Sequence, residues 1–164
     1  MHQLSLSQRT QIGTLVPFGS GQSSPVVLVT NSNVKHTLSG SEYPERVAQC
    51  QAAVKALKSK YPQITSLRDA TIEMLESIKT DLADERIYKR GRHVITEDVR
   101  TTGAVEALKK GDFATVGILM SQSHDSLQHD YEVSCTELDV LKRLALDVRG
   151  VYGSRMTGGG YIAC

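Results

Sequence analysis

Four glycines in eight residues, Gly153-Ser154-Arg155-Met156-Thr157-Gly158-Gly159-Gly160, constrain this chain more than any other stretch. Glycine so dense weakens both helix and strand interiors, and it supplies backbone that takes φ > 0 and approaches a ligand closely. One cation, Arg155, and two hydroxyls, Ser154 and Thr157, stand among the glycines. Two readings are open: a loop whose N–H groups face an anion or a sugar hydroxyl, or a plain turn between two strands. A Walker A loop is excluded, because Gly159 stands where that motif needs lysine. Only Tyr161-Ile162-Ala163-Cys164 follow, so the expectation is a loop whose far supporting strand is cut short.

The rest of the chain must supply the scaffold for that loop. Its 164 residues suffice for one domain with a sizeable core, and 23% charged against 40% apolar residues is a globular balance. A formal net charge of +1 creates no global field for nucleic acid or a membrane surface. No apolar run approaches the roughly 20 residues of a membrane span, and residues 1–13 lack a signal core. Three cysteines, Cys50, Cys135 and Cys164, without CxxC spacing point to reduced thiols. The expectation is therefore a cytoplasmic protein.

Residues 1–24 are polar and Gly/Ser-rich. Within them, Pro17-Phe18-Gly19-Ser20-Gly21-Gln22-Ser23-Ser24 reads as a flexible loop. A phosphate loop needs a helix directly behind it, and Pro25 with Val26-Val27-Leu28-Val29 reads instead as a buried strand. Ser41-Glu42-Tyr43-Pro44 opens a helix with a capping hydroxyl and a first-turn proline. Val47, Cys50, Val54, Leu57 and Tyr61 form its core stripe, and Tyr61-Pro62 ends it. Ile72, Leu75, Ile78 and Leu82 mark a shorter helix. A long one follows over about 84–109, with Ile87, Val94, Val99, Val105 and Leu108 on its apolar side. Lys89, Arg90, Arg92, Glu97, Asp98 and Arg100 on the other read as solvated surface. Gly111-Asp112 reads as a stop and a new cap. Phe113, Val116, Met120 and Leu127 carry the next helix, and Ser134-Cys135-Thr136-Glu137 reads as a capping box for the last. Val151-Tyr152 reads as a short strand entering the glycine stretch. This order implies an α+β fold with helices covering one face of a sheet.

The five histidines lack metal-binding spacing, since no HExxH pair occurs and His124 and His129 would point about 140° apart on a helix. No metal site and no catalytic residue is assigned. Ser154 has no identifiable base and acid partner for a hydrolase triad, and Asp130 and Glu132 read as helix-end acids that position a turn.

Two polar clusters remain, and together they resemble a known family. Asn31-Ser32-Asn33-Val34-Lys35-His36 with Ser41-Glu42-Tyr43-Pro44 is similar to the sugar-side segment of galactokinases. Arg92-His93-Val94 with Glu97, Ser123-His124-Asp125-Ser126-Leu127, and Asp130-Tyr131-Glu132-Val133-Ser134-Cys135 with Glu137-Leu138-Asp139 resemble that family's later helices. The glycine stretch resembles the third signature of the GHMP small-molecule kinases. The resemblance implies a truncated C-terminal portion of a GHMP kinase, with ferredoxin-like helices over a small antiparallel sheet. It divides the chain into a Gly/Ser-rich segment at 1–24 and a GHMP kinase C-terminal-like domain at 25–164, cut short at the third glycine motif. Thr136 stands where the family usually has proline, and Tyr161-Ile162-Ala163-Cys164 where it has Phe-Gly-Gly-Cys.

The activity so implied is transfer of the γ-phosphoryl of ATP, with Mg²⁺, to the anomeric hydroxyl of galactose. The resemblance assigns Tyr43 to the sugar and Lys35 to the nucleotide side, with Ser154, Arg155, Met156, Thr157, Gly158, Gly159 and Gly160 near the phosphates. Galactose and ATP are the expected ligands of a monomer that binds neither nucleic acid nor membrane. The family's catalytic aspartate and ATP phosphate loop have no counterpart here, and Met1-His2-Gln3 carries His where the family has that aspartate. A partial form, inactive alone, is therefore expected. The alternative is a non-catalytic galactose-binding or regulatory protein.

Overall fold

In a computed structural model, which describes residues 18, 24–33 and 42–157, the described residues form five α-helices and their turns. They are α1 (Glu42–Lys60), α2 (Ile72–Glu76), α3 (Glu85–Lys109), α4 (Phe113–Ser126) and α5 (Thr136–Leu146). Single 3₁₀ turns occupy Leu67–Asp69 and Lys79–Asp81, and a π-helical turn, Leu127–Tyr131, continues α4.

Local chemistry sets these limits. α1 is rich in Ala, Gln, Lys and Glu and carries its only proline in the first turn, where the missing N–H has no helical acceptor anyway. It stops at Tyr61, whose N–H closes on Leu57 O (2.8 Å) before Pro62 forbids another helical turn. Asp84 caps α3 by accepting from the Arg86 N–H at 2.8 Å. Gly111, at φ 69°, takes the left-handed position after α3 that a side chain disfavours, and Asp112 then accepts from the Thr115 N–H (3.0 Å) to start α4.

The core lies where α1, α2 and α3 meet. Ala53, Leu57, Ile64, Leu67, Leu75, Ile78, Tyr88 and Ile95 form one buried cluster. Leu57 and Leu75 are fully enclosed, each burial being worth about 1.5–3 kcal/mol against exposure. α4 packs along the other side of α3.

The expected α+β architecture is not what the described residues form: they contain helices, turns and irregular backbone, but no strand. Val26, Val27, Leu28 and Val29 are 74–90% exposed rather than buried, and Val151-Tyr152 is likewise unpaired and largely exposed. A strand exists only through a ladder partner, and neither stretch has one among the described residues. The small antiparallel sheet expected under the helices is accordingly absent from the described residues.

Two local readings also change. Arg90, expected on a solvated face of α3, is 1% exposed, while Val99 on the supposed apolar side is 69% exposed. At Arg90 the face is polar because it packs against a polar turn rather than water, while the Arg92 and Asp98 side chains remain 42% and 43% exposed. The Ser134–Glu137 box does not form either. Cys135 is the residue before α5, and the Ser134 hydroxyl donates instead to Asp139 (2.6 Å). Leu138, Leu141, Ala145 and Val148, whose spacing predicts the inward stripe of this last helix, are only partly covered, and Val148 is 58% exposed.

Candidate functional site

The glycine-rich segment is described as far as Thr157 and lies on α4. Its seat begins where two glycines touch. A Cβ on Gly117 would stand 2.0 Å from Tyr152 O, and one on Gly153 would stand 2.1 Å from Gly117 O. Any side chain at either position would force the backbones apart, so a mid-helix glycine is retained despite its propensity cost of about 1 kcal/mol. Beside this contact Phe113 meets the Phe18 ring edge-on and the Tyr152 ring at a tilt, with centroids 6.0 and 6.1 Å apart.

Two turns further along α4 the segment is held again. Met156 is buried, and its N–H donates to Nδ1 of the fully enclosed His124 at 3.0 Å. The other ring nitrogen of His124 lies 3.1 Å from Asp139 Oδ1 on α5. Gln128 Nε2 (2.7 Å) and Ser134 Oγ (2.6 Å) also donate to this carboxylate.

Between these anchors Arg155 turns toward α3, donating from Nη1 to Glu97 Oε1 at 3.1 Å and from Nε to Met156 O at 2.9 Å. Glu97 further accepts from Ser123 Oγ (2.6 Å) and Arg100 Nε (2.8 Å). Burial opposes its charge, but the Ser123 hydrogen bond and the Arg100 and Arg155 guanidiniums outweigh it and hold the carboxyl below its ordinary range.

One turn before Glu97, about 6 Å along the helix, stands His93. Its Nδ1 lies 2.9 Å from Ser126 Oγ, and that hydroxyl donates to Asp130 Oδ2 at 3.1 Å. Because the hydroxyl proton is committed to Asp130, His93 donates from Nδ1. Burial pushes the His93 imidazole down to about 4, so it is neutral near pH 7. Tyr131 stacks on the ring with centroids 4.6 Å apart. Burial, with Cys50 beside it, pushes the Tyr131 phenol up to about 12.

The π-helical turn joins this network to α1. Arg90 donates to the Asp130 carbonyl, to Glu132 Oε2 (2.6 Å) and to Gln49 Oε1 on α1 (2.9 Å), while Arg92 pairs with the Asp130 carboxylate. Arg46 on α1 donates to Tyr131 O (2.8 Å) and Glu132 O (3.1 Å). These bonds satisfy carbonyls that the widened turn and the left-handed Glu132 (φ 54°) leave outside a regular ladder.

The residues expected at the site divide into three groups. Arg155 and Met156 are held by α3 and α4, with Ser154 partly buried between Gly153 and Arg155 and Thr157 exposed after them. Tyr43 is 65% exposed on the first turn of α1, three residues before Arg46. Arg46 ties the start of α1 to the π-helical turn, Tyr131 of that turn stacks on His93, and Glu97 one turn further along α3 holds Arg155. Lys35, Gly158, Gly159 and Gly160 lie outside the described residues, as does the capping hydroxyl of Ser41.

The positions that build the seat, Gly117, Ser123, His124, Glu97 and Asp139, were not assigned as site residues from the sequence. One signal was available: Gly117 and His124 are seven apart, and so share one face of the same helix.

Residues 104–161 match the family model described as GHMP kinases C terminal. The chain is 47% identical over 163 residues to a galactokinase from Homo sapiens, covering 99% of this chain and 40% of that one. It is 42% identical over 138 residues to a galactokinase from Halalkalibacterium halodurans, covering 84% and 35% respectively. The fold is similar to that of Lactococcus lactis galactokinase in complex with galactose. Its TM-score is 0.75 at 37% identity, covering 80% of this chain and 34% of that one. The chain thus spans about two fifths of the length of the curated relatives it matches.

Proposed function

Because the chain belongs to the GHMP kinase family, on its galactokinase branch, we propose that these residues serve ATP-dependent phosphorylation of galactose at its anomeric hydroxyl. The observation that carries this reading is the held glycine segment, lying within the region matched by the family model and fixed by Gly117, His124 and Glu97. Phosphoryl transfer demands positioning and compensation of developing charge more than covalent chemistry. A glycine backbone whose entry is held from three sides is suited to that task.

In this proposal Tyr43 offers the sugar a flat apolar ring and a hydroxyl from an exposed helix start. Lys35 and the stretch from Ser154 to Gly160 belong to the nucleotide side, within a domain spanning 25–164. Arg155 is already paired with Glu97, so its charge orients the segment before it meets any phosphate. ATP is the phosphoryl donor.

The described residues offer no ready-made all-protein cage for a metal ion. They contain no His, Cys, Asp or Glu cluster able to hold a metal ion. Glu97 and Asp139 are occupied by donors from the protein itself. The expected place for Mg²⁺ is on the nucleotide's own phosphates.

These 164 residues contain no counterpart of the catalytic aspartate or the phosphate loop that the resemblance calls for, and on their own they are expected to give no turnover. The test is a coupled ADP-release assay on residues 1–164 with galactose, ATP and Mg²⁺, alongside calorimetry with galactose alone. Turnover well above buffer would overturn the expected inactivity. Galactose heat without turnover would favour a galactose-binding protein, and silence toward both ligands would count against a sugar-facing role.

A further inference from the structure

Both nitrogens of the buried His124 ring are engaged, and the two contacts fix its proton. The Met156 N–H donates to Nδ1, so Nδ1 must carry a lone pair. The ring proton then sits on Nε2, facing Asp139 Oδ1, and Asp139 is held from behind by Gln128 and Ser134. A leucine or phenylalanine would fill this place without the cost of burying two polar nitrogens. What such a residue lacks is an acceptor for the Met156 amide, which is itself buried and expensive to leave unpaired.

We infer that His124, as the neutral Nε2–H tautomer set by Asp139, is a positioning residue for the glycine-rich segment. Its bond fixes Met156, and so the position and direction with which the backbone enters Thr157. Gly117 sets the near end of the segment and Glu97 holds Arg155 in between, so among the described residues His124 is the tie nearest in sequence to the three glycines that follow Thr157. The assignment of those glycines to a ligand rests on the function proposed above; the tie itself rests on geometry.

Two substitutions in the full 164-residue chain separate the roles. In His124→Asn the side-chain oxygen falls near the Nδ1 position and still accepts from the Met156 N–H, while the bond to Asp139 is lost. In His124→Gln the longer side chain reaches Asp139 and abandons the amide. Hydrogen exchange at Met156 is expected to be about tenfold faster in the glutamine variant than in the asparagine variant, the effect of losing one amide bond. Equal rates would overturn the inference.

Should neither variant fold, ¹⁵N spectra of the unsubstituted chain decide the matter. A bare Nδ1 and a protonated Nε2 on His124, with a slowly exchanging Met156 amide, support the tie; a protonated Nδ1 refutes it. Calorimetry with galactose and ATP tests the ligand reading separately. Heat in the unsubstituted chain and the asparagine variant but not in the glutamine variant supports the positioning role, and equal heat in both variants overturns it. An absence of heat in the unsubstituted chain counts against the proposed function, and the exchange comparison alone then decides for or against the tie.

Discussion

Acid should loosen this protein through His93. An imidazole has an ordinary value of 6.5, and burial beneath Tyr131 and α4 lowers that of His93 to about 4 in the folded chain. Between those values the unfolded chain takes up a proton that the folded chain refuses, so stability falls as pH drops and recovers as it rises. The contribution is complete above pH 6.5. The span from 6.5 to about 4 corresponds to roughly 3 kcal/mol at its acid limit, of which about 2 kcal/mol is lost by pH 5. That is a large share of the 5–15 kcal/mol typical of a domain.

Urea unfolding followed by circular dichroism at pH 8, 7, 6 and 5 reads this directly. His93→Asn retains a donor for Ser126 but cannot gain a proton. It should cost about 1–2 kcal/mol at pH 8 through the lost ring stacking and volume. Its stability should then fall about 2 kcal/mol less than that of the parent between pH 8 and pH 5. Stopping at pH 5 keeps the protonation of carboxylates such as Asp69, held down to about 2 by its Thr65 and Ser66 bonds, out of the comparison. Parallel pH curves for parent and variant would refute the assignment of a buried, neutral His93.

Three further outcomes follow from the contacts. Gly117→Ala puts a methyl on the Tyr152 carbonyl and should lower stability by at least 1–3 kcal/mol, with faster amide exchange through the glycine segment; an unchanged melt would contradict the close approach. Arg90→Ala leaves the Asp130 carbonyl and Gln49 without their donor and should cost about 2–3 kcal/mol in urea unfolding, whereas an exposed arginine would cost under about 0.5. Tyr43→Ala should change stability by no more than about 0.5 kcal/mol because the ring is exposed, yet abolish any calorimetric galactose signal; a retained signal removes Tyr43 from the sugar site.

Helix periodicity and punctuation were legible in the sequence. The first-turn proline and Tyr61-Pro62 bounded α1, and Gly111-Asp112 fell where α3 ends and α4 begins. Pairing was not legible. A β-branched run such as Val26 to Val29 says that a strand is compatible, but only a partner in space makes one, and local sequence does not reveal whether a partner is there. Arg90 and Glu97 misled for a related reason. Charge on a helix face signals water only when nothing polar packs on it, and here a π-helical turn and an arginine 58 residues away do so. The resemblance identified the family, yet His124 and Gly117 emerged only when α4 and the glycine segment could be seen touching.

The uncovered run of Val26, Val27, Leu28 and Val29 has a practical consequence for anyone handling the isolated chain. Four consecutive apolar residues, three of them β-branched, stand in solvent with no charged residue among them. Such a run is a template for intermolecular sheet growth. Precipitation at high concentration should therefore begin there, and a single lysine replacing Val27 should keep the protein dispersed without disturbing the helical core.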